Sequence, residues 1–369
     1  MITSMITPDY PAGTLADVLS GALAALGLPG VTDRLGLAAR LEGVNKVAVL
    51  LIDGMGYHQL PFMGPYLSTI PARRITCGFP STTPTSLVSL ATGVAPGSHG
   101  IMSFFAAVPG TDIVLSHTAW KDDPLPEVWQ PVPPLYLAAQ EFRPLVVSRP
   151  EYVDSGLTEV TTRGADYRGA SGVDEVASGI LGALKGTRKI VYGYHPDLDK
   201  AGHNHGLYSD AWRVAASEVD RLVSTIAQRL PSGTALIVTA DHGQLNVPAD
   251  HRINLDDHLD GVRVIAGEPR VRYLHTLPGA APDVLQAWRL LAGHAAWVGT
   301  REEAIDTGWY GPVDRAFADR IGDVVLVCKD DWALMTPTFD PSSVSKLVAM
   351  HGAMTEVEMA IPLIVIRPS

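Results

Sequence analysis

Carboxylates and imidazoles sit beside four short apolar runs of this chain. KVAVLLI (46–52) runs into Asp53 of DGMG, and RKIVYGY (188–194) runs into HPDLDKAGHNHG, which carries Asp197, Asp199, His203 and His205. ALIVTA (235–240) is followed by Asp241-His242-Gly243, and MHGAMTEVEM, with His351, precedes PLIVIR (362–367). One such residue alone is ordinarily a solvated turn carboxylate. Agreement among four places needs another reason, because an open α/β sheet binds its ligands outside the carboxyl ends of its strands. Oxygen and imidazole donors with no thiolate among them suit zinc, or less often manganese.

A fifth segment supplies hydroxyls. PSTTPTSLVSLATGVAPGSHG (80–100) passes from a Pro/Ser/Thr turn straight into an apolar helical run. At that junction unpaired backbone N–H groups and the positive end of the helix dipole favour a developing anion. The plain reading is a helix N-cap. Beside a metal cluster, a metal-activated hydroxyl nucleophile becomes the better reading.

The elements that must position these groups follow from the hydrophobic pattern. The four runs above and RPLVVS (143–148) are Val/Ile-rich without alternation, as expected of strands covered by helices on both faces. Helical patterns lie between them, the clearest from about Asp210 to Leu230, and an amphipathic helix is expected near Leu15 to Leu26. The expected fold class is α/β, layered around a mostly parallel sheet. Two stretches break the rhythm. Residues 104–133, with Phe104, Phe105, Trp120 and Trp129, read as a surface excursion. Residues 262–335 read as a smaller α+β subdomain: strand RVRYLHT, helix PDVLQAWRLLAGH, a Gly/Trp/Tyr segment, helix VDRAFADR and strand DVVLVC. The expected division is therefore a core of residues 1–261 and 336–369 with an insertion at 262–335.

Composition narrows the function. The 369 residues carry 28 Lys plus Arg against 39 Asp plus Glu, a formal charge of −11. Binding to nucleic-acid polymers or anionic membranes is not expected, since both need clustered positive charge. Two cysteines, Cys77 and Cys328, are too few for a disulfide framework or a thiolate zinc site. No run approaches the roughly 18 apolar residues of a membrane span. The N-terminal segment has no basic region before its apolar stretch, and a cytoplasmic location is expected.

Taken together, Asp53 in LLIDGMG, Thr83 in FPSTTPTS before LATGVAPGSHGI, PDLDKAGHNHG, TADHGQLNVPADHRINL and HGAMTEVEMAIPLIV resemble the type I phosphodiesterase and nucleotide pyrophosphatase branch of the alkaline phosphatase superfamily. The resemblance runs from about residue 46 to the C-terminus. It implies an alkaline-phosphatase-like three-layer sandwich and two zinc ions per chain. One ion would be held by Asp53, Thr83, Asp241 and His242, the other by Asp199, His203 and His351. Asp199 is preferred to Asp197 because the family places an Asp four residues before the His. Thr83 is reached by counting back from Thr92-Gly93, with Thr82 and Thr85 as alternates. His205 would point elsewhere, and His58 and His99 match no ligand position. The implied reaction cleaves a phosphodiester or pyrophosphate bond of a small molecule, a nucleotide among the candidates, through a covalent phospho-threonine intermediate on Thr83.

Two departures touch substrate recognition. The aromatic residue that follows the threonine in nucleotide pyrophosphatases is Pro84 here, and where those enzymes place an Asn after HGI, this chain offers Phe104. Neither is a metal ligand. Phosphonate and phosphomonoester hydrolysis at the same two-zinc site, and a non-catalytic metal-binding relative, stand as the alternatives.

Overall fold

The computed structural model describes residues 5–121 and 123–368. Along the chain come β1 (Lys46–Ile52), β2 (Arg73–Thr76), β3 (Leu145–Ser148), β4 (Asp166–Gly169), β5 (Ile190–His195) and β6 (Thr234–Thr239). They are followed by β7 (Val262–Glu268), β8 (Val271–Thr276), β9 (Ala296–Thr300), β10 (Val324–Cys328) and β11 (Ala360–Ile366). A seven-stranded sheet has the order β2-β11-β6-β1-β5-β3-β4. Only β11 opposes the others, pairing antiparallel with β6 and β2. The middle strands are buried along their length because Val, Ile and Leu occupy both faces and helices cover each.

Those helices are α1 (Ala16–Ala25), α2 (Thr83–Thr92), α3 (Gly156–Thr162), α4 (Val173–Lys185), α5 (Asp197–His205) and α6 (Asp210–Ala227). The period-two alternation of strand side chains decides which layer each residue meets. A methyl group on Gly193 would strike Ile180 of α4, and one on Gly179 of α4 would strike Val147. Gly193 and Val147 therefore face α4, which turns Tyr192, Tyr194, Val146 and Ser148 toward the opposite layer, where α2 and α3 lie.

Register brings the strand ends together. Ile52 pairs with His195, and Leu51 pairs with Thr239. The residues that follow β1, β5 and β6 thus emerge side by side at one edge.

The smaller sheet, β7-β8-β10-β9, is antiparallel throughout, and α7 (Ala281–Ala292) packs on β9 and β10. Two of its strands, β7 and β9, escape a pattern reading. VDRAFADR is not a helix but a turn ending in the short 3-10 segment Ala318–Arg320. Its Asp314 caps the Ala316 N–H, and the Arg320 guanidinium leaves the local chain to reach the carbonyls of Gly100 and Trp129. Residues 104–133 are likewise more than a surface loop. A hairpin pairs Phe105–Ala107 with Val114–Ser116, and Trp120 and Trp129 are buried against Val88, Leu157 and Val160, behind the helix that carries Thr83.

Candidate active site

Each of the three acidic residues at the sheet edge uses one carboxylate oxygen for a protein donor. Asp241 Oδ1 accepts from the backbone N–H of Gly54 at 3.0 Å and of His242 at 3.1 Å, leaving Oδ2 buried with no hydrogen-bond partner. Asp53 Oδ2 accepts from the Tyr194 hydroxyl, and Asp53 Oδ1 is likewise buried without a hydrogen bond. Asp199 Oδ1 accepts from Gln244 Nε2, while its Oδ2 lies 3.2 Å from His203 Nε2. Asp199 and His203 share one face of α5 because four residues make about one helical turn.

The imidazoles are arranged in a similar way. His203 Nδ1 lies 2.8 Å from the Ala349 carbonyl, His351 Nδ1 2.8 Å from the Ser81 carbonyl, and His242 Nδ1 3.2 Å from the Gly243 carbonyl. A carbonyl only accepts, so each Nδ1 donates, and in the neutral ring each Nε2 then offers a lone pair. Those lone pairs converge. His203 Nε2 and His351 Nε2 are 3.2 Å apart, and His242 Nε2 lies 3.3 Å from Asp241 Oδ2 and 3.6 Å from Asp53 Oδ1. The His242 and His351 rings stack with centroids 3.5 Å apart, joining the two groups into one centre.

Such a collection of acceptors is electrostatically unfavourable by itself. Burial, then the neighbouring Asp241 and Asp199 carboxylates, push the Asp53 carboxyl well above its ordinary range. Burial, then the adjacent His242, hold His351 well below the usual imidazole value, so it stays neutral. Unpartnered carboxylate oxygens facing imidazole lone pairs are the donor set of a dication site. Asp53, Asp241 and His242 form one group whose ligand atoms all lie within 4.8 Å of one another, and Asp199, His242 and His351 form a second. His203 adjoins that second group.

Thr83 opens α2 and is followed by Pro84, a residue well suited to the first turn of a helix. Its Oγ1 lies 3.1 Å from His242 Nε2, and it lines a cavity of about 470 Å³ together with Asp53, Asp199, His203 and His351. Thr82, in the N-cap position, makes no side-chain cap hydrogen bond. Thr82 and Thr85 are fully buried and do not line the cavity. The loop before α2 is held by Ser81 Oγ donating to the Ala353 carbonyl, and Ser86 Oγ ties the first turn to the Asp241 carbonyl.

All seven expected residues therefore meet at one place. Asp197 turns away to pair with Arg149, His205 is exposed, and His99 is buried in hydrogen bonds to Ser89 and the Ile101 N–H. Phe104 lines the cavity, and its backbone N–H donates to Glu268 of β7. Tyr194 and Gln244, which orient two of the carboxylates, are missed by motif reading; the signal for Tyr194 is its place one residue before the end of β5, on the face toward Thr83.

Comparison with known proteins places the chain in a family. The profile of the family described as type I phosphodiesterase / nucleotide pyrophosphatase matches residues 47–354. No curated protein sequence matches the chain. Murine ectonucleotide pyrophosphatase / phosphodiesterase 5 superposes with a TM-score of 0.71 at 19% identity, covering 88% of each chain. An inactive variant of that murine protein in complex with AMP gives 0.68, again at 19% identity and 88% of each chain. Phosphonoacetate hydrolase from Sinorhizobium meliloti 1021, in complex with phosphonoformate, gives 0.66 at 20% identity, covering 88% of this chain and 90% of the other. At these identities the structural likeness establishes a shared fold, while the profile match spans most of the chain. The chain belongs to the type I phosphodiesterase / nucleotide pyrophosphatase family, whose members are hydrolases of phosphoester bonds.

Proposed function

We propose that this protein is a two-zinc phosphodiesterase or pyrophosphatase acting on a small molecule, with Thr83 as its nucleophile. The observation that carries this reading is the convergence of two hydrogen-bond-orphaned carboxylate oxygens and three imidazole Nε2 atoms, with Thr83 Oγ1 3.1 Å from one of them. Asp53, Asp241 and His242 would hold one dication beside Thr83, and Asp199, His203 and His351 the other. When bound, the two ions make the hydroxyl acidic and offset the charge gathering on the phosphoryl and leaving oxygens.

The residues supply the rest. Thr83 stands at the N-terminal end of α2, where the helix dipole favours negative charge. Thr83 gives up its hydroxyl proton, Oγ1 bonds to phosphorus, and the ester or anhydride oxygen opposite departs and takes a proton. Water then attacks the same phosphorus from the side the leaving group vacated. The bond to Oγ1 breaks and the hydroxyl is restored. Tyr194, Gln244 and the three carbonyl-anchored imidazoles keep the ligand atoms where they are throughout.

Elemental analysis is expected to find two metal equivalents per chain, chiefly zinc. Thr83→Ala is expected to lower turnover of bis-nitrophenyl phosphate by at least about a thousandfold, with metal content retained. Faster turnover of nitrophenyl phosphate or phosphonoacetate than of the diester would assign the centre to monoester or phosphonate hydrolysis instead.

A further inference from the structure

The cavity does not end at Thr83. It continues as a slot between the sheet and the helix that carries the nucleophile. Val146 of β3 and Tyr192 of β5 are register partners, and both turn toward this layer. Leu87 and Leu90 lie four and seven residues beyond Thr83, so the helical period sets them on the face Thr83 occupies. A group attached to phosphorus at Thr83 therefore has an apolar path along α2.

Two features mark the slot as a binding site rather than a packing fault. Tyr136 and Tyr192 are 2% and 9% exposed, yet both line the cavity, so aromatic side chains of the layer between sheet and helix border open space there. Protein interiors close up around space of this kind unless something occupies it. The second feature is charge. Apart from the residues already placed at the metal centre, the charged groups on the lining are Arg149, Glu151, Asp197 and Lys200. Glu151 and Lys200 are exposed, Arg149 and Asp197 are half-buried, and Arg149 is already engaged with both Asp197 oxygens at 2.5 and 2.6 Å. Along Val146, Tyr192, Leu87 and Leu90 the lining offers aromatic faces and aliphatic side chains, and the half-buried Arg149 of the lining already has its charge matched by Asp197.

We infer that the slot receives the ester group that stays on phosphorus, and that this group is uncharged and largely apolar, an aryl or alkyl ester. The inference rests on the proposed phosphodiesterase reading and narrows its substrate class. It also gives Pro84 and Phe104 a place: selection acts through the depth of the slot instead of a stacked base or an amide beside the phosphate.

The test is a series of 4-nitrophenyl phosphodiesters whose second ester is methyl, butyl, phenyl or carboxymethyl, assayed on the metal-loaded protein. In each case the P–O bond to nitrophenol breaks and the second ester remains on Thr83. From methyl to butyl, kcat/KM is expected to rise by roughly fourfold per buried methylene, with phenyl comparable to butyl and carboxymethyl below methyl. Ala91 of α2 also lines the cavity, and filling the slot with Ala91→Phe is expected to lower the phenyl-to-methyl ratio of kcat/KM by about tenfold or more. The wild-type series stands alone should that variant not fold. A flat series, or a preference for the carboxymethyl ester, overturns the inference and leaves the hydrolase reading in place. Absence of turnover on every diester, the methyl ester included, overturns the phosphodiesterase reading on which the inference rests.

Discussion

At the level of single residues, the candidate metal-binding set was legible because oxygen and imidazole donors gather next to strand ends. What pattern could not supply is the support behind each ligand. Tyr194 reads as one more aromatic in an apolar strand, yet its hydroxyl holds Asp53 Oδ2 and leaves Oδ1 for the site. Tyr194→Phe is expected to weaken metal binding by roughly tenfold to a hundredfold, read by chelator competition, with the fold retained. An unchanged dissociation constant would remove Tyr194 from the site. The choice of Thr83 over Thr82 and Thr85 rested on counting from Thr92-Gly93, and Gly93 does close α2 in the left-handed conformation, at φ 75°.

At the level of elements, strands buried on both faces were the easiest to read, since Val/Ile runs admit few other structures. β1 spans residues 46–52 as expected, and the other four begin or end within two residues of their apolar runs. Elements that depend on distant partners were not readable. VDRAFADR has helical composition, but its Arg320 stacks 3.7 Å above the Trp129 ring, a contact across the fold that local propensity cannot reveal. Close backbone approach is equally invisible in sequence. A Cβ on Gly243, beside His242, would lie 2.0 Å from the Val357 carbonyl oxygen. Backbone cannot swing aside as a side chain can. Gly243→Ala is therefore expected to cost about 3 kcal/mol of stability in urea unfolding and to lower metal affinity with it. A variant as stable as the parent would contradict the packing described.

At the level of the whole molecule, the two sheets share one apolar core and are tied by buried charge. Arg270, just before β8, makes two hydrogen bonds to Glu358 at 2.9 and 2.8 Å, and Glu358 also accepts from the Ala353 N–H, two residues beyond His351. Arg270→Met leaves that carboxylate buried without its cation and is expected to destabilise by about 3 kcal/mol, measured by thermal unfolding. A second buried acid gives a pH dependence. Burial pushes the Glu268 carboxyl from 4.5 up to about 8, against the opposing pull of the Phe104 N–H and Arg272. Across that window the unfolded chain sheds its proton while the folded chain keeps it, so this residue's contribution to stability falls as pH rises. Glu268→Gln is expected to gain stability relative to wild type between about pH 5 and 8, and a difference independent of pH would contradict it.

The central claim is that Thr83 Oγ1 becomes bonded to phosphorus during turnover, and the most direct measurement is acid-quenched peptide mass spectrometry of the metal-loaded enzyme with a 4-nitrophenyl phosphodiester. The account predicts a phosphoryl adduct, still carrying the second ester group, on Thr83. Full turnover with every threonine of the 80–92 segment unmodified at all quench times, or an adduct on Thr82 or Thr85, would contradict it.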